Sequence, residues 1–143
     1  MNARTIGYWA TTGLTAAAFA AGGAMDLFRG PDVVAGMTHL GYPAYLAVIL
    51  GVWKVLGAIA IAAPGLPRLK EWAYAGIAFD LTGAAISHAA VGDPLPKILT
   101  PLALLGLAAA SWALRPASRT LGALGAKRGE REKPGLRAVP SAA

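Results

Sequence analysis

Four apolar runs, each about 17–22 residues long, constrain this chain more than any other feature. A helix that crosses a bilayer needs about 20 mainly apolar residues. The runs therefore predict spans at residues 6–27, 44–63, 72–91 and 98–114. Helix-breaking clusters separate them, notably Pro64-Gly65-Leu66-Pro67 and Gly92-Asp93-Pro94-Leu95-Pro96. Composition supports the same class: 56% of residues are hydrophobic and 14% are charged, against roughly a quarter charged in an ordinary soluble domain. The 18 glycines allow helices to approach closely.

The predicted fold is all-α: an integral membrane four-helix bundle over residues 1–114, followed by a basic, flexible cytoplasmic tail over 115–143. The first run has a competing reading as a cleaved signal peptide. Its apolar stretch exceeds the usual 7–15 residues, and Tyr8 with Trp9 resembles an interfacial aromatic pair, so retention as a span is the preferred reading. Between spans one and two, Pro31 suits a first helical position. Val33, Val34, Met37 and Leu40 recur at helical spacing, and Gly41 suits a stop. This predicts a short interfacial helix with His39 on its last turn. The tail, rich in Arg, Lys, Gly and Pro, lacks an apolar stripe and reads as solvated, with disorder from about Gly122.

Four spans put both termini on one side. That side carries Arg4, Arg68, Lys70, Arg115, Arg119, Lys127, Arg128, Arg131, Lys133 and Arg137, and the other carries Arg29 and Lys97. The positive-inside rule then places both termini in the cytoplasm. The basic tail reads as a topology signal. Nucleic-acid binding is not expected, because no fold or aromatic interleaving presents the charges.

Within the spans three ionisable residues stand out: Lys54 in the second, Asp80 in the third and His88 near its end. Charges in hydrocarbon cost several kcal/mol, about 2.5–3.5 on insertion scales, so they are paired or functional. Counted from the cytoplasmic ends, Lys54 and Asp80 lie at matching depths of about 12–14 Å on antiparallel neighbours. A Lys54–Asp80 pair is predicted, either as a helix-locking ion pair or as part of a functional site. Gly76, Asp80, Ala84 and His88 share one ridge, which puts His88 about 12 Å further out. Asp26 and His39 fall at a similar height, so Asp26, His39 and His88 are predicted to face an outer polar pocket that can include Asp93. No HxxxH or HxxE spacing supports a metal site, and no P-loop, GxSxG or nucleotide-binding glycine motif is present. Without cysteine there is no disulfide, thiolate ligand or thiol relay in the chain.

Several motifs in order, GGAMDLF, the Pro-Asp-Val-Val helix, THLGYPAY at 38–45, the Lys-Val-Leu-Gly-Ala run from Lys54 and PGLPRLKEWAYAGIAFDLTGAAISHAAVGD at 64–93, resemble the DoxX-like membrane proteins. The resemblance covers about residues 6–114. It implies His39, Gly41, Tyr42, Pro43, Lys54, Gly57, Pro64, Asp80 and His88 as family-motif positions without assigned roles. It also implies a place in the inner membrane of a bacterial-type cell, as a subunit or scaffold of a membrane redox or stress-response assembly, partnered by the lipid bilayer and by a second copy or an oxidoreductase. A quinone- or small-molecule-binding component is the alternative: Lys54, Asp80 and His88 would handle protons, and Trp53, Trp72 and Phe79 would flank the ligand. A small permease is a further reading, for which a chain of 143 residues offers little room.

Overall fold

The computed structural model describes residues 2–122. They form five α-helices: α1 (Ala3–Phe28), α2 (Pro31–His39), α3 (Tyr45–Ala62), α4 (Pro67–Ala90) and α5 (Leu95–Ala113). No strand occurs among the described residues.

Local chemistry explains the boundaries. The Asn2 side chain accepts from the Thr5 amide at 2.9 Å and caps α1. Proline at the start of α2, α4 and α5 costs no helical hydrogen bond, since the first-turn amides lack partners in any case. The turn between α3 and α4 needs two consecutive left-handed residues, Gly65 at φ 67° and Leu66 at φ 53°. Glycine adopts that conformation freely and leucine does so at a cost.

Three helices start earlier than the apolar runs suggested: α1 at Ala3, and α4 and α5 with more consequence. Helix α4 begins at Pro67, so Arg68, Lys70 and Glu71 sit on its first turns and not in the connecting turn. Helix α5 begins at Leu95, which moves Pro101 from a harmless first turn into the helix interior. There it removes one intrahelical donor. In both cases proline opens the helix at a place where hydropathy alone put a breaker.

The four long helices close into a ring in which α1 touches α3 and α5, and α4 touches α5 and α3, all neighbours antiparallel. The α1–α3 seam is the most extensive and the α3–α4 seam the slightest, while α2 rests on α3. The core is small: Phe19, Ala58, Ile61, Tyr74, Ile77, Leu81 and Ala108. Large apolar side chains point outward instead, with Trp72 78% and Phe79 77% exposed. Buried hydroxyls satisfy one another across three helices, Thr12 to Ser111 at 2.6 Å and Ser111 to Tyr74 at 2.7 Å. Thr11, Thr15, Thr82 and Thr100 donate back to helix carbonyls four residues earlier.

The start of α1 and the end of α5 share one end of the ring, and that end is densely tied. Lys70 is fully buried, and its Nζ donates to the carbonyls of Ala60, Ile61 and Ala63, which α3 leaves free at its C-terminus. Arg115 pairs with Glu71 at 2.7 Å and lies over the rings of Tyr74 and Trp112. Arg119 donates to the Tyr8 hydroxyl at 3.0 Å and covers the Trp9 ring. The expected solvated tail therefore does not begin at residue 115. Arg115 is only 4% exposed, and a single 3-10 turn at Ala117–Arg119 carries the chain back over α1. The disorder expected from about Gly122 falls on residues 123–143, outside the described residues.

Candidate functional site

Helices α1 and α3 cross glycine on glycine. A Cβ at Gly23 would stand 2.9 Å from the Gly51 carbonyl oxygen, and one at Gly51 would stand 2.8 Å from that of Gly23. Only hydrogen fits there, so the backbones touch. This crossing sets the ion pair beside it. Asp26 lies three residues beyond Gly23, and Lys54 lies three beyond Gly51. Because the helices are antiparallel, these steps run in opposite directions, about 4.5 Å each. The lysine stem spans the gap, and Lys54 Nζ donates to Asp26 Oδ2 at 2.8 Å.

Asp80, on α4, approaches the same ammonium at 4.0 Å, within ion-pair range but too far for a hydrogen bond. The predicted Lys54–Asp80 contact thus exists as the weaker half of a three-residue group, and Asp26 holds the stronger half. Asp26 does not join His39 and His88 as expected. Its place near the end of α1 suggested the outer pocket, but the glycine crossing turns it toward Lys54. The Gly22-Gly23 and Gly51 small-residue positions were the signal for this in the sequence.

The two histidines do come together, on Asp93. His39 Nε2 lies 2.9 Å from Asp93 Oδ1, and His88 Nδ1 lies 2.6 Å from Oδ2. Lys97 Nζ reaches Oδ1 at 3.3 Å. Asp93 sits in the α4–α5 connection, where the His88 hydrogen bond, opposed by desolvation and aided by His39 and Lys97, holds its carboxyl well below the usual carboxylate range. Nearby, Tyr42 and Ser87 share a hydrogen bond at 2.8 Å. This cluster ties the α2–α3 connection to the α4–α5 connection. Among the described residues no group of His, Cys, Asp and Glu is arranged to hold a metal ion.

The loose α3–α4 seam opens into a groove of about 480 Å³. Trp53, Leu56 and Gly57 of α3 face Trp72, Gly76 and Phe79 of α4 across it, and Lys54 with Asp80 supplies its polar end. His88 does not line the groove, so the three ionisable residues singled out in the sequence divide between two places.

All-helical over its described residues, with outward apolar side chains and with Lys54 and Asp80 at mid-helix, the chain has the make-up of a helical membrane protein. Two of its helices, Tyr45–Ala62 and Leu95–Ala113, are long and apolar enough to cross a membrane by length and composition. The DoxX-like family model matches residues 10–111, and the chain belongs to that family. No curated protein and no solved structure matches it.

Proposed function

We propose that this DoxX-like protein is an integral four-span bundle of the bacterial-type inner membrane, with both termini cytoplasmic. In this reading it serves as a small-molecule-binding component of a membrane redox or stress-response assembly. Helices α1 and α4 join the two strongly apolar helices as spans. Their threonines and serines are satisfied within or between helices, which is what a chain in hydrocarbon requires. The skewed placement of Lys and Arg supports the orientation, and the four spans end by Leu114, ahead of the basic segment that first folds back over α1.

One observation carries the ligand-binding reading: the α3–α4 groove, with Lys54 and Asp80 at its polar end and Trp53, Trp72 and Phe79 along its walls. A scaffold needs only well-packed seams, and this seam is held open. A lipid-soluble molecule with an apolar body suits the mixture of apolar walls and a few polar groups. The test is purification in mild detergent followed by mass spectrometry of co-purifying quinones, lipids and proteins. Wild type should carry a lipid-soluble molecule near one per chain. Gly57→Leu, whose side chain enters open space in the groove, should lose it. Equal content in both proteins would sink the reading.

A further inference from the structure

The groove contains one charge that the fold leaves over. A single ammonium, Lys54, faces two carboxylates, so one negative charge is in surplus, and the hydrogen bond Lys54 makes goes to Asp26. Asp80 has no hydrogen bond among the described residues, and its nearest cation there is Lys54 at 4.0 Å. His88, two helical steps further along α4, is engaged by Asp93 and does not reach the groove. Asp80 therefore offers a carboxylate to whatever enters.

The walls narrow the class of visitor. Trp53, Trp72 and Phe79 present aromatic rings to the same space, and ring faces attract cations, most strongly where water is excluded. A hard metal ion would need several oxygen ligands, and the lining carboxylate is Asp80 alone. An anion would enter a group in which two carboxylates already outweigh one ammonium. A neutral ring would leave that surplus of negative charge unanswered in apolar surroundings. An organic cation with an apolar body answers both the charge and the rings.

We infer that the α3–α4 groove binds a lipophilic organic cation, its apolar body over Gly57 and Gly76 and its charge opposite Asp80 among the aromatic side chains. This rests on the groove being a ligand site and adds the ligand class. The test uses the full chain purified in neutral detergent, with tetraphenylphosphonium and the equally shaped anion tetraphenylborate as probes, followed by tryptophan fluorescence and calorimetry. Tetraphenylphosphonium should bind saturably near one per chain, and tetraphenylborate at least tenfold more weakly. Asp80→Asn should weaken the phosphonium at least tenfold while the helical circular dichroism is retained. Gly57→Leu, which adds bulk where a Cβ meets nothing, should abolish binding without involving any charge. Equal affinity for the two ions, or unchanged affinity in folded Asp80→Asn, overturns the cation assignment. If the phosphonium fails while a neutral quinone such as decyl-ubiquinone binds and is lost in Gly57→Leu, the cation assignment falls and the groove reading stands. If Gly57→Leu alters neither probe, both fall.

Discussion

Helix α3 is packed by opposite rules on its two sides. Toward α1 it presents Gly51 and closes until backbones touch; toward α4 it presents Gly57 and leaves a groove. The two glycines differ by six positions in sequence, and their consequences are contrary. At Gly51 the missing side chain is filled by the neighbouring helix. At Gly57 nothing lies within 4 Å of where a Cβ would be. Glycine content in an apolar helix is thus no measure of packing until the partner is known. Lys54 belongs to both sides, bonded on the closed one and merely adjacent on the open one.

Mutations that separate the two sides should rank accordingly. Lys54→Met strands Asp26 against α3 and should cost about 3–5 kcal/mol, read as loss of membrane accumulation and of thermal stability in detergent. Gly51→Ala forces a Cβ against the Gly23 carbonyl and should cost about 1–3 kcal/mol in the same thermal assay. Asp26→Asn removes the negative charge from a charge-assisted bond and should destabilise by about 1.5–3 kcal/mol, whereas Asp80→Asn should stay within about 1 kcal/mol. Equal losses from the two carboxylate variants would erase the distinction drawn between the seams. Gly57→Ala should be neutral or stabilising by about 0.5–1 kcal/mol through helix propensity. A loss there would mean that the groove closes under working conditions.

The histidine cluster gives the smallest effect, and it depends on pH. Because the folded state depresses the Asp93 carboxyl, its contribution is complete above the ordinary carboxylate pKa of about 3.9 and fades as pH falls below it. Thermal scans should show wild type ahead of Asp93→Asn at about pH 6, with the gap narrowing below about pH 4. A gap that widens as pH falls below about 4 would contradict the hydrogen-bond pattern.

Much of this architecture was legible in the chain because run length and proline clusters are local signals. The short helix at Pro31–His39 and the connection around Gly65 needed nothing else. The depth match of Lys54 and Asp80 was also legible, since helix rise converts residue number to height. What escaped was lateral: which carboxylate faces the lysine depends on how α1 is rotated about its axis, and a glycine crossing decides that. The recruitment of Arg115 and Arg119 escaped for a related reason. Their partners, Glu71 and Tyr8, lie far away in sequence, and a basic Pro-containing stretch looks like tail until aromatic rings are placed beneath it.

The stretch that folds back after α5 has a practical consequence for how the molecule can be cut or extended. Its hydrogen bonds run to Thr120, past the last apolar residue of the final helix. A protein ended after Leu114 would keep every predicted span, yet it would lose both guanidinium groups that cover Tyr8, Trp9, Tyr74 and Trp112. It would also leave Glu71 without its arginine. A tag or reporter joined beyond residue 122 leaves those contacts in place, whereas one joined at the end of the hydrophobic sequence would interrupt them.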